Sequence, residues 1–224
     1  MYKIRNLMYV KIHRRLVLSS TKRKEQEKYG IKTYFLNSYL KFFPTPSAQN
    51  VKIKTLLRYG GSGVWVETGT YLGVTAENLA SAVSQVHTIE PSHELFEIAR
   101  KRLDSLPNVT QYRGTSEETL SHVLSDLQIN RCDEVNFWLD GHYSAGNTFK
   151  GLDETPIHHE LSVIEKFMGE FRAVNIFIDD VRCFQPSTEE YESYPPLRSI
   201  MQWAKEHSMK SLLVHDILIM KKCR

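Results

Sequence analysis

The stretch Val64-Trp65-Val66-Glu67-Thr68-Gly69-Thr70-Tyr71-Leu72-Gly73-Val74-Thr75 decides how the rest of the chain reads. Gly63 to Val66 is apolar and β-prone, as a buried parallel strand requires. Glu67 to Gly73 follows without a break, and Val74 to Ser84 then reads as a helix. A strand that ends in a glycine-bearing turn and opens a helix makes a pocket at its carboxyl end. There the backbone can approach a ligand, and the helix amino terminus points free N–H groups inward. Neither G-x-G-x-x-G nor G-x-x-x-x-G-K-[ST] stands in this turn; E-x-G-x-x-x-G does.

Downstream, strands and helices alternate, the pattern of a doubly wound parallel sheet. The pattern predicts strands over Gln85–Ile89, Val109–Arg113, Glu134–Leu139 and Ala173–Ile178. Helices are expected over His93–Leu103, over Glu117–Leu127 with Ser116 as cap, from Pro156 to about Met168, and near Leu197–His207. Ser211–Val214 and Ile217–Met220 are separated only by His215-Asp216, which demands an antiparallel hairpin. Upstream, Ser47 can cap a short helix over Ala48–Tyr59 that Gly60-Gly61 terminates. Helices in that position often cover the pocket of such a fold.

The organisation is therefore a basic, aromatic extension over residues 1–46 and an α/β domain over residues 47–224. The 224 residues, 41% hydrophobic and 11% aromatic, suffice for one such core. The net charge of +3 is unevenly held: residues 1–30 carry nine Lys/Arg against two Glu, a local +7, which leaves −4 for the remainder. That distribution argues against a basic nucleic-acid-binding face on the domain. The extension mixes apolar and basic residues, so it suits either an anionic membrane surface, a second copy of the chain, or packing on its own domain. No run of about 18 apolar residues and no clean signal-peptide core occur. Cys132, Cys183 and Cys223 are odd in number and lack metal-ligand spacing, so reduced thiols and a cytoplasmic location are expected.

In open α/β sheets ligands bind beyond the carboxyl ends of the strands. Those ends carry Glu67/Gly69, Glu90, Gly114–Ser116, Asp140/His142 and Asp179/Asp180. Glu90, 21 residues beyond Gly69, can accept both hydroxyls of a ribose or cap the helix after it. Glu67 can accept from a ligand or from the turn backbone, and Ser116 can approach a base or cap its helix. Three carboxylates converging at adjacent strand ends would repel unless a cation compensates. An all-oxygen set suits Mg²⁺ or another hard divalent ion. His142 titrates near neutral pH when unperturbed and lies two residues beyond Asp140, which makes it the candidate base. The polar segment from His142 to Gly151 has the composition of a substrate gate or of an ordinary surface loop.

The turn E-x-G-x-x-x-G resembles motif I of the class I S-adenosylmethionine (SAM) methyltransferases. With Asp140 after the fourth strand and Asp179-Asp180 after the fifth, residues 63–221, about 70% of the chain, are similar to the metal-dependent small-molecule O-methyltransferases. Catechol and macrocin O-methyltransferases belong to that group. The resemblance implies a Rossmann-like methyltransferase fold, a seven-stranded, mostly parallel sheet of order 3-2-1-4-5-7-6 with helices on both faces. It implies SAM along Glu67, Thr68, Gly69, Thr70, Tyr71, Gly73 and Thr75, with Glu90, Ser92, Ser116 and Asp140 contributing. It also implies a divalent ion on Asp140, Asp179 and Asp180, with Asp140 and His142 in catalytic roles and a hydroxylated small molecule, a sugar or another vicinal diol, as acceptor. Catechol-type enzymes carry a lysine shortly after the first aspartate, where this chain has Ser144 and only later Lys150. A nucleic-acid methyltransferase is the rival reading, but Asp140-Gly141-His142-Tyr143 stands where an Asn/Asp-Pro-Pro-aromatic motif would be needed. A non-catalytic binding protein on the same fold is the second rival.

Overall fold

Trp65 fixes the centre of the molecule. Its indole is fully buried, its Nε1 donates to the Gly61 carbonyl at 2.9 Å, and it stacks on Phe177 with ring centroids 5.2 Å apart. Around it the computed structural model describes residues 47–141, 155–184 and 194–223. The elements run α1 (Gln49–Tyr59), β1 (Val64–Thr68), α2 (Val74–Ala80), β2 (Gln85–Glu90), α3 (His93–Leu103), β3 (Val109–Arg113) and α4 (Ser116–Ile129). They continue with β4 (Glu134–Leu139), α5 (Ile157–Phe167), β5 (Ala173–Ile178), a 3-10 turn (Val181–Phe184), α6 (Leu197–Glu206), β6 (Lys210–Val214) and β7 (Ile217–Cys223).

The strands form one seven-stranded sheet of order β3-β2-β1-β4-β5-β7-β6. Pairings from β3 through β5 are parallel, and β7 is antiparallel to both β5 and β6. This is the expected Rossmann-like methyltransferase fold. Chain direction across the sheet reverses between β1 and β4, and right-handed crossovers then put α2 and α3 on one face and α4 and α5 on the other. Side-chain alternation agrees. Trp65, Trp138 and Phe177 meet Leu56, Ala76, Leu79, Ala99 and Leu103 in one cluster, while Val66, Phe137 and Ile176 turn to the opposite face.

Element ends differ from the sequence reading for local reasons. Thr115, not Ser116, caps α4, in a capping box with Glu118. Ser47 does not cap α1; its Oγ accepts instead from the Asp216 N–H at 3.3 Å. The helix after the glycine turn stops at Ala80, four residues short of expectation, with Ser81 Oγ donating to the Asn78 carbonyl. Gly60 ends α1 as predicted, its N–H donating to the Leu56 carbonyl, but without a left-handed φ. The expected extension over residues 1–46 lies outside the described residues.

At the amino end of the sheet, the fully buried Asn136 ties three segments together. Its Oδ1 accepts from the Gly61 N–H at 3.0 Å and from Asn175 Nδ2 at 2.8 Å, and its Nδ2 donates to the Val64 carbonyl at 3.2 Å. Replacing it with leucine, similar in volume, strips the Gly61 N–H and the Val64 carbonyl of a partner. Asn136→Leu is expected to lower stability by about 2–3 kcal/mol, read as a lower urea midpoint at unchanged m-value.

Candidate active site

Parallel pairing brings the ends of four strands to one level. Thr68 is in register with Ile89 of β2 and with Leu139 of β4, and Leu139 is in register with Ile178 of β5. The residues that follow, Glu90, Gly69, Asp140 and Asp179, therefore form a row across the switch point. Backbone bonds extend the ladder into that row: Gly69 N to the Ile89 carbonyl at 3.0 Å, Asp140 N to Thr68 at 3.1 Å and Asp179 N to Leu139 at 3.1 Å.

The glycine turn forms one half of the site. Gly69 has φ +84° and Gly73 φ +75°, and Tyr71 between them is also left-handed at φ +50°. A side chain on Gly69 would meet the Asp140 carbonyl oxygen at 2.5 Å, so the close approach of β4, as well as the dihedral, calls for glycine. Glu90 clamps this turn: Oε2 accepts from the Tyr71 N–H at 2.8 Å and Oε1 from the Ser92 N–H at 2.9 Å. Burial raises the Glu90 carboxyl pKa, and these two bonds pull it back. Beneath the turn, Glu67 Oε2 accepts from Thr88 Oγ1 at 2.6 Å, and Thr88 in turn shares a 2.5 Å bond with Thr70. Burial pushes Glu67 up to about 8, with the Thr88 hydroxyl opposing and the Glu90 charge adding to the rise. Thr68 Oγ1 is buried with no partner.

The carboxylate row forms the other half. Asp179 and Asp180 are buried, and Asp180 has φ +48°. The Asp140 carboxyl is enclosed by the crevice although the residue keeps some accessible surface. That desolvation pushes it to about 7, against the pull of Lys52 and with the push of Asp180. Asp179 is raised by burial and then by repulsion from Asp140 and Asp180. Two cations answer these charges. Lys52, in the first turn of α1, is ion-paired and hydrogen-bonded to Asp179 Oδ2, with Asp180 Oδ1 3.9 Å away. Burial lowers the lysine pKa, but Asp140, Asp179 and Asp180 together outweigh it and hold the ammonium charged. Arg182 Nη1 reaches Asp180 Oδ1 at 2.5 Å and also pairs with Asp216 Oδ2, while the Arg182 N–H donates to Asp216 Oδ1 at 2.9 Å.

The expected divalent-cation site is not shown among the described residues. Asp140, Asp179 and Asp180 do come together, but an ammonium engages Asp179 Oδ2 and a guanidinium engages Asp180 Oδ1, while Asp179 Oδ1 is buried with no hydrogen-bond partner. Among the described residues, no three His, Cys, Asp or Glu side chains are disposed to hold a metal ion. A row that already carries two cations is a poor fit for a Mg²⁺ ion.

The glycine-turn residues and Glu90 converge as predicted. Thr75 stands at the start of α2, where its Oγ1 accepts from Gln49 Nε2 at 2.8 Å. The Ser92 hydroxyl is used as the cap of α3, accepting from the Leu95 N–H at 3.4 Å. The Ser116 hydroxyl points to its neighbour Glu117 at 3.4 Å. His142 and the gate segment lie outside the described residues. Sequence reading missed Gln49, Lys52, Arg182 and Asp216, and also the buried Glu160 of α5, whose Oε1 would lie 3.5 Å from a Cβ on Gly141. Gln49 and Lys52 carried no signal, because only the packing of α1 over the strand ends gives them meaning.

No family model matches the chain, and no curated protein matches it. Solved structures do. An O-methyltransferase from Bacillus cereus in complex with SAH is similar over 80% of this chain and 83% of its own, with 16% identity and a TM-score of 0.51. The N-methyltransferase NodS from Bradyrhizobium japonicum WM9 is similar over 77% of this chain and 94% of its own, with 12% identity and a TM-score of 0.51. A SAM-dependent methyltransferase from Aquifex aeolicus is similar over 82% and 96%, with 13% identity and a TM-score of 0.50. At these identities the likeness establishes the methyltransferase fold.

The Glu67 carboxyl gives this half of the site a pH signature. Its folded pKa of about 8 exceeds the ordinary 4.5, so the folded state keeps a proton that the unfolded chain releases. Its contribution is fully present below about pH 4.5, is lost as pH rises towards 8, and is flat beyond. Glu67→Gln is expected to remove that slope, by an amount on the order of 3–5 kcal/mol between the two limits. Urea unfolding of both proteins at pH 5.5 and pH 8.5 provides the comparison.

Proposed function

We propose that this chain is a SAM-dependent methyltransferase that methylates a hydroxyl group of a small molecule. The observation that carries the reading is the row at the switch point, with Glu90 held by the Tyr71 and Ser92 N–H groups beside a left-handed glycine turn. The fold supports it, and so does the donor set. Each Glu90 oxygen keeps a further lone pair, which suits the paired hydroxyls of a ribose. The unpartnered Thr68 hydroxyl and the backbone of the glycine turn are polar groups that a bound cofactor would satisfy.

SAM supplies a methyl group already activated on sulfonium, so the protein has to bring a nucleophile into line and take its proton. The Asp140 carboxyl lies next to the turn, where it can accept a hydrogen bond from an acceptor hydroxyl and draw off the proton. His142, two residues beyond Asp140, is proposed as a second proton acceptor on the strength of the sequence. The likeness to an O-methyltransferase favours oxygen, but a neighbour of equal TM-score methylates nitrogen, so the hydroxyl assignment rests on the acidic lining.

Calorimetric titration with SAM tests the cofactor half. The wild type is expected to bind, and Glu90→Ala to bind ~10–150-fold more weakly, the equivalent of ~1.5–3 kcal/mol for a charge-assisted hydrogen bond. Glu90→Gln, which keeps one acceptor oxygen, should fall between them. Unchanged affinity in a folded Glu90→Ala protein would move the ribose elsewhere. SAM binding without methyl transfer to any hydroxylated acceptor would favour a binding protein on this fold.

A further inference from the structure

We propose that the Lys52 ammonium is the resident cation of the aspartate row and that the chain needs no divalent ion there. The argument is atomic. An ion bridging Asp140, Asp179 and Asp180 requires an oxygen from each. Asp179 Oδ2 already accepts a hydrogen bond from the Lys52 ammonium, which leaves only its buried Oδ1 without a partner, and Asp180 Oδ1 is 2.5 Å from Arg182 Nη1 and 3.9 Å from Lys52 Nζ. Neither cation is free to leave. Arg182 is pinned a second time by Asp216, through both side chain and backbone. Lys52 rides on α1, and α1 is fastened at both ends. Gln49 bonds Thr75 at 2.8 Å, Lys221 Nζ bonds the Tyr59 carbonyl at 2.7 Å, and Leu56 is fully buried in the core between them.

Charge balance points the same way. Asp140, Asp179, Asp180 and Asp216 face Lys52 and Arg182 from the β4 and β5 ends and the β6–β7 turn. A divalent ion added beside these two positive groups would be strongly repelled in a crevice of low dielectric. Removing the Lys52 charge instead leaves the buried Asp179 carboxylate without its partner beside Asp140, with Arg182 still held on Asp180. A lysine supplied by the helix before β1 thus does the electrostatic work that a metal would do, and it binds Asp179 whether or not the protein is a methyltransferase.

The test is metal titration followed by thermal unfolding, on the full chain and independent of turnover. Wild-type protein, with and without SAM, is expected to bind neither Mg²⁺ nor Mn²⁺ by calorimetry and to keep its Tm in excess chelator. Lys52→Met should lower the Tm by on the order of 10 °C in chelator and recover much of it with Mn²⁺, as the vacated carboxylates take the ion. Lys52→Arg should stay close to wild type and remain metal-blind. Saturable Mn²⁺ binding by the wild type that Asp179→Asn abolishes would overturn the proposal, even if Lys52→Met failed to fold. So would a folded Lys52→Met protein with unchanged Tm. A protein that bound no SAM would overturn the functional reading and leave the metal result standing.

Discussion

Everything at the candidate site depends on the in-register parallel alignment of β2, β1, β4 and β5. Because Ile89, Thr68, Leu139 and Ile178 lie at one level, the residue after each strand falls on one line. Main-chain hydrogen bonds set that line, so it exists before any ligand or side-chain contact is made. The cost appears as backbone strain at its two sides. Tyr71 and Asp180, neither of them glycine, hold φ of +50° and +48°. Such conformations persist only where the surroundings determine them, and here the Tyr71 N–H is held by Glu90 while Asp180 sits between Arg182 and Lys52.

The second dependence is electrostatic and runs through α1. A row of buried acids is tolerable only with compensating charge, and most of the acids here are raised by burial even so. Helix α1 lies over the crevice from the glycine turn, through Gln49 and Thr75, to the carboxylate row, through Lys52 and Asp179. It is a roof for both halves of the site at once. Its attachment to Tyr59 by Lys221 of β7 links that roof to the antiparallel end of the sheet.

Legibility from sequence followed the range of the interactions. The strand-turn-helix at 64–75 and the alternation after it were readable because local pattern and global fold agree there. Strand bounds at Val109–Arg113, Glu134–Leu139 and Ala173–Ile178 matched. The convergence of Glu90, Gly69, Asp140 and Asp179 was readable too, since fold topology dictates where strand ends go. Caps were less so: Thr115 and Ser116 are chemically alike, and only the capping-box geometry chooses between them. Lys52 was illegible. Its sequence neighbours, Asn50 to Leu56, describe an amphipathic helix, and nothing local tells a solvated lysine from one aimed at an aspartate 127 positions away. The three aspartates implied a missing positive charge, but a metal ion and a distant lysine satisfy that requirement equally well on paper.

That difference bears on what the row can recognise. A hard divalent ion gathers several oxygens around itself and favours acceptors with two adjacent hydroxyls. An ammonium on a tethered stem offers separate, directional hydrogen bonds and adds one charge, not two. With Lys52 in place, the row presents carboxyl oxygens and a half-buried ammonium to whatever enters the crevice. That ammonium comes from the helix ahead of β1, and Arg182, from the turn after β5, pairs with the same row, so neither of these cations belongs to the sheet itself.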